Sequence, residues 1–218
     1  MENIDISEFK KNSFADIIKE LLNVNNGYVT SKLLTSLGIH RMYLKIMVEK
    51  GLIKKVGTGI YMSIDKMEDD YFIFSLDLPN VIYSHFSALY LQGFSKNKSG
   101  KFDITVCNNY FNYKLKKHNV FYVSKDIYEL GLIEIKTKFG NKVKAYDLER
   151  SICDIIKFRK RLDLDMVKYS VKKYLKSGKR DMKKLLEYAE KLGCKEEVID
   201  IVSLLYDGKL KDLEVYYE

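Results

Sequence analysis

The chain has 218 residues, 46% of them hydrophobic and 31% charged, with a formal net charge of +8 and a pI near 9.1. Such a composition suits packed cores in one large domain or two small ones and excludes a disordered polymer. No apolar run approaches the ~18 residues of a membrane span, and the opening "MENIDISEFKK" lacks the basic and apolar blocks of a secretory signal, so a cytoplasmic protein is expected.

In chain order, "FADIIKELLNV" comes first, with Phe14, Ile17, Ile18, Leu21 and Leu22 on one helical stripe. Thr30 is placed to cap a helix over "SKLLTSL", which Gly38 ends. A third helix is expected over "IHRMYLKIMVEK", with Leu44, Met47 and Val48 inward and Gly51 as its stop. "LIKKV", "GTG" and "IYM" then read as two short strands around a glycine turn. Three helices and a hairpin in this order predict a winged helix-turn-helix over residues 1–66. "SIDKMEDD" reads as an acidic linker, and a second domain is expected over 71–218.

That second domain opens with two apolar helical stretches, "YFIFSLDL" and "SHFSALYLQG". Candidate strands "KFDITVC", "NVFYVS", "LIEIKT" and "KVKAYD" follow, and beyond Asp147 the apolar spacing is helical to the end. The expected fold class is α+β: the winged helix-turn-helix, then a mixed α+β domain ending in a helical cluster.

Charge is distributed unevenly. Residues 28–62 hold six bases (Lys32, Arg41, Lys45, Lys50, Lys54, Lys55) against Glu49, whereas residues 1–80 as a whole hold 10 bases and 11 acids. The positive charge of the first domain is thus concentrated on the helix-turn-helix and its wing, where phosphates would lie. On the third helix, Arg41 is the candidate for bidentate readout of guanine. His40 and Tyr43 flank it near the open N-terminal end, and Lys45 is a phosphate ligand. Thr30 and Ser31 are expected to offer hydroxyls and free backbone N–H groups to a phosphate. Lys54 and Lys55 alternate across the wing strand, so one of them faces DNA. Each position also has a plainer reading, with Tyr43 covering the core and Lys32 and Lys50 merely solvated.

In the second domain, Ser84 reads as a helix N-cap with His85 in the first turn; adjacent residues are not expected to meet as nucleophile and base. Asp147 reads as a cap, Glu149 as a first-turn acid, and Arg150 and Asp154 as a pair four residues apart. Asp103, Glu134 and Lys136 are the elements of a metal-dependent nuclease but lack a supporting pattern nearby. Cys107, Cys153 and Cys194 are too scattered for a disulfide framework or zinc site, as are the three histidines. Neither metal, cofactor nor enzymatic activity is expected.

The blocks "GIHRMYLKIMVEKGLIKKVGTGIYM", "IYSHFSALYLQGF" and "KVKAYDLERSICDIIKFR", in this order, resemble the AbiEi family of antitoxins, over about residues 14 to 206. The resemblance implies an antitoxin of a type IV toxin–antitoxin, abortive-infection system. Its winged helix would bind inverted repeats in its own promoter, two copies together, and repress the operon. Its second domain would counteract a nucleotidyltransferase-like toxin without a stable complex. DNA contact would fall to Arg41, Tyr43, Lys45 and the wing turn. Thr58 stands where the family often carries a base, so the wing contributes backbone contacts only. The alternative is a protein-interaction module that docks an acidic partner without sequence-specific DNA binding; the net +9 of residues 81–218 also admits nucleic acid.

Overall fold

A computed structural model describes residues 13–96 and 100–206, so the ends of both expected domains lie outside the described residues. The chain is mixed α+β and divides into two compact units. The first holds the described residues up to Pro79 together with Phe139–Asn141; the second runs from Asn80 to Lys138 and resumes at Lys142.

The first unit begins with α1 (Phe14–Val24), capped by the Ser13 hydroxyl, which accepts from the Asp16 amide. Its stripe of Ile17, Ile18, Leu21 and Leu22 is buried as the spacing requires. β1 (Tyr28–Thr30) leads into α2 (Ser31–Ser36), and α3 (Met42–Glu49) follows. Gly38 and Gly51, at φ +71° and +66°, end these two helices in the left-handed turn that glycine adopts without steric cost. β2 (Ile53–Gly57) and β3 (Ile60–Ser63) form the hairpin, and β3 pairs antiparallel on its other edge with β1. One hydrophobic cluster joins α1 to Leu34, Leu44, Met47 and Ile53.

A second cluster (Tyr28, Ile60, Met62) is covered by Phe72, Ile73 and Leu76 of α4 (Asp70–Asp77). This packing is why the unit boundary falls after Pro79 and not at the acidic linker. "YFIFSLDL" is a helix as expected, but its apolar face closes the first core. Asp69 fixes its start: the carboxylate accepts from the Phe72 amide and from Asn141 Nδ2, and its own amide donates to Tyr28 Oη at 3.0 Å.

The second unit is built on β4 (Ile82–Tyr83), β5 (Asp103–Cys107), β6 (Asn119–Val123), β7 (Leu132–Lys136) and β8 (Lys142–Tyr146). Their order is β6-β5-β4-β8-β7, with β5/β6 and β4/β8 parallel and the other pairs antiparallel. α5 (His85–Leu91) follows β4, and α6 (Lys125–Tyr128) follows β6. The chain ends in α7 (Leu148–Lys157), α8 (Leu164–Leu175), α9 (Met182–Lys191) and α10 (Lys195–Leu205), whose inward faces make one core with Phe86 and Leu89 of α5.

Candidate nucleic-acid interface

The basic segment is organised by α2, α3 and the β2–β3 hairpin. Thr30 caps α2 as expected, its hydroxyl accepting from the Leu33 amide at 3.1 Å. The Ser31 amide, however, donates to the Gly59 carbonyl at 2.8 Å. Expected free for a phosphate, that N–H instead ties the start of α2 to the hairpin turn. Thr58 is exposed in the same turn.

α3 begins later than its apolar pattern suggested. Arg41 is its N-cap, and His40 Nδ1 accepts from the Met42 amide at 3.2 Å, so the histidine caps the first turn. Thr35, Gly38, Ile39, His40 and Arg41 line an open cleft of about 430 Å³ between the two helices. His40 and Arg41 are both exposed at its rim.

Tyr43 points the other way. Its ring lies 5.1 Å from that of Phe14 and packs against the first core, which is the plainer of the two readings of this residue. Met42, 51% exposed, lies on the outward stripe of α3 with Lys45 and Glu49. Helical spacing alone could have found it, since residues 42, 45 and 49 share one face. Lys45 Nζ lies 3.8 Å from Glu49, an exposed pair of little strength.

The two lysines of β2 separate as strand alternation requires. Lys54 is half-buried and bonds Glu68 at 2.9 Å, whereas Lys55 is exposed. Lys32, Arg41, Lys50 and Lys55 have no ion-pair partner among the described residues. These four, with Arg41 at the cleft, hold the uncompensated charge.

The signature residues of the second unit are mostly buried. Ser84 Oγ and His85 Nδ1, expected not to meet, lie 2.9 Å apart because His85 adopts φ +47°. Ser84 makes no side-chain cap; Asp103 supplies it, accepting from the Phe86 amide at 3.2 Å. The His85 ring stacks on Phe121 at 3.5 Å, and burial holds its imidazole well below the usual range.

Asp103 on β5 and Glu134 on β7 are three strands apart in the sheet order, roughly 14 Å at strand spacing. Glu134 pairs with Lys142 at 3.3 Å. The nuclease elements therefore do not converge.

Asp147 caps α7 by accepting from the Arg150 amide at 2.9 Å. Arg150 is buried: Nε reaches both oxygens of Asp154 at 3.1 Å, Nη1 donates to the carbonyls of Ile127 and Leu130, and the guanidinium lies 4.3 Å over the Tyr146 ring. Glu149, also buried, accepts from Tyr174 Oη at 3.0 Å, and Lys184 bridges Asp147 and Glu149 at 2.9 and 3.6 Å. The Asp147 cap and the Arg150–Asp154 pair lie within α7, whereas the bonds to the Ile127 and Leu130 carbonyls, Tyr174 and Lys184 fasten it to its neighbours.

No family model matches the chain, and no curated protein matches it. Among solved structures, the crystal structure of the RV2827C protein from Mycobacterium tuberculosis is similar over 88% of this chain and 81% of that one, with a TM-score of 0.47 and 10% identity. That likeness is too distant to bear on fold or function. No helix among the described residues is long and apolar enough to cross a membrane.

Proposed function

We propose that the first unit is a winged helix-turn-helix and that the chain is an AbiEi-type antitoxin that represses its own promoter. The observation that carries this reading is Arg41, an exposed guanidinium with no ion-pair partner among the described residues, at the N-terminus of α3 and beside the cleft. In such a motif that end of the recognition helix enters the major groove. Arg41 is then positioned for two guanine acceptors. Met42 and Lys45 continue along the same face. Lys32 and Lys55 take phosphates, and the wing turn meets the backbone.

With Lys54 held by Glu68 and Arg41 reading bases, about four lysines (Lys32, Lys45, Lys50, Lys55) are left for phosphates. That implies a salt slope of roughly −3.6 and about a hundredfold loss of affinity between about 50 and about 200 mM salt. One such module binds weakly, so two copies on an inverted repeat are required for a useful operator. The second unit, in this reading, counteracts a nucleotidyltransferase-like toxin without a stable complex, and neither unit is an enzyme or carries a cofactor.

A reporter fused to the chain's own promoter, together with growth on co-expression of the neighbouring toxin gene, tests both halves. The wild type is expected to silence the reporter and restore growth. Arg41→Ala is expected to release the reporter while growth is still restored. An unsilenced reporter with the wild type overturns the repressor half; failure to restore growth overturns the antitoxin half.

A second reading has one observation in its favour. The acid partners of Lys45 and Lys54 compete with phosphates for two of the segment's six cations, which favours protein docking over DNA binding. Salt-independent capture of an acidic protein, with no preference for promoter DNA, would favour it.

A further inference from the structure

The connection from β5 to β6 has no place in the reading above. Phe111 and Tyr113 of this connection and Tyr122 of β6 are 80%, 69% and 51% exposed, more than any other aromatic side chain among the described residues. All three fall within 12 residues of one another in the chain. Aromatic rings are expensive to leave in water, and a cluster of them on one short segment marks a contact surface.

The scaffold beneath them is fixed. Leu115 is buried and anchors a short 3₁₀ turn over Tyr113–Lys117. The Asn112 side chain accepts from the Lys114 amide at 3.0 Å, and His118 Nδ1 accepts from the Phe102 amide at 3.2 Å with the two rings stacked. β6 pairs with β5 from Asn119 to Val123 and forms the edge of the sheet. Strand alternation turns Tyr122 to the face opposite Phe121, whose ring is engaged with His85.

The charge of the segment is of one sign. Between Lys101 and Lys125 there are five lysines and a single acid, Asp103. Asp103 is buried and accepts from Asn119 Nδ2 at 2.7 Å, so it presents no negative charge to solvent. Lys101, Lys116 and Lys117 are exposed. The aliphatic side chains of the connection and β6 are buried or half-buried, leaving the rings set among asparagines and lysines. The centre of a protein-docking patch is depleted of lysine. Separate ring faces among cations suit unpaired bases with their phosphates.

We propose that the β5–β6 connection binds single-stranded nucleic acid, RNA or DNA, with Phe111, Tyr113 and Tyr122 stacking bases and Lys101, Lys116 and Lys117 taking phosphates. A duplex hides its base faces and is not the ligand of this surface. The proposal is independent of the operator reading, because it uses none of the residues of α2, α3 or the hairpin.

The chain contains no tryptophan, so Phe111→Trp in the full chain places a single fluorescent reporter at the site. A reporter at position 111 reads this site and not the first unit, and an Arg41→Ala background removes the operator preference of that unit. Oligo-dT, oligo-U and a duplex of about twenty nucleotides are titrated at about 50 and about 200 mM salt. Saturable quenching by one or both single strands, and not by the duplex, is expected; the relative response assigns the site to DNA, RNA or both. Adding Tyr113→Ala and Tyr122→Ala is expected to weaken binding by about tenfold or more, given base–ring stacking energies. Lys116→Gln with Lys117→Gln is expected to flatten the salt dependence. No quenching, equal affinity in the ring-deleted variant, or quenching only by poly-glutamate would overturn the proposal. Unchanged thermal melting of the variants confirms that their fold is intact.

Discussion

His85 holds a left-handed backbone conformation that a non-glycine side chain seldom adopts, and it does so with its ring buried between Phe121 and Phe158. Burial first, and the nearby Arg150 charge second, keep the imidazole neutral in the folded chain. Below about pH 6.5 the unfolded chain takes up a proton there and the folded chain does not, so stability falls on acidification by up to ~1.4 kcal/mol per pH unit. Asp154 acts in the opposite sense: burial, opposed by Arg150, pushes its carboxyl up to about 6. It therefore takes a proton in the folded chain first, and stability is gained from about pH 6 down towards about pH 4. His85→Asn keeps a residue tolerant of the left-handed region and removes the titration. Thermal melts between about pH 7 and pH 5 should show a shallower acid loss in the variant, by about one proton. Parallel pH profiles would mean that His85 titrates normally. At neutral pH the Arg150–Asp154 pair is ionised, and Asp154→Ala strands a buried guanidinium. A loss of roughly 3–5 kcal/mol in denaturant unfolding is expected. Replacing both partners with apolar residues of similar volume is expected to recover most of it.

At the scale of elements, the amphipathic helices were legible because their partners lie along one stripe: α1 and α7–α9 follow their apolar spacing. The β2–β3 hairpin was legible from its glycine turn. The elements missed are those whose partners are remote in sequence. β1 and β4 have three and two residues and exist because β3, β5 and β8 lie beside them. α4 was read as a helix, but nothing in "YFIFSLDL" says that its apolar face meets Tyr28, Ile60 and Met62 rather than the sheet that follows. The candidate site was legible in its charges and in the Thr30 cap. Ser31 was misplaced, and Tyr43 took the plainer of its two readings, because Gly59 and Phe14, their actual partners, come from other elements. The Ser31–Gly59 tie has a measurable consequence. Gly59 sits at φ +69°, and a Cβ there would meet Ser31 Oγ at 3.1 Å. Gly59→Ala should cost about 1–2 kcal/mol and loosen the hairpin turn against α2. Amide exchange should accelerate at Ser31 in the variant; unchanged protection would show that the tie contributes nothing.

For the whole molecule, the charge map separates two kinds of surface. In the first unit, Lys32, Arg41, Lys50 and Lys55 of the basic segment have no ion-pair partner among the described residues, although residues 1–80 are net −1 overall. The second unit spreads 28 bases and 19 acids over residues 81–218 and turns its buried charged groups, such as Glu149 and Arg150, to internal bonds. On this account duplex recognition belongs to the first unit, and operator affinity depends on a few placed groups, not on total charge. The most direct test is a titration of the full chain against its upstream promoter and a scrambled duplex at about 50 and about 200 mM salt, for the wild type and Arg41→Ala. The account predicts tighter binding to the promoter that weakens with salt, and loss of about 1–3 kcal/mol of that preference in the variant. Equal, weak binding of both duplexes, unchanged by the substitution, would contradict it.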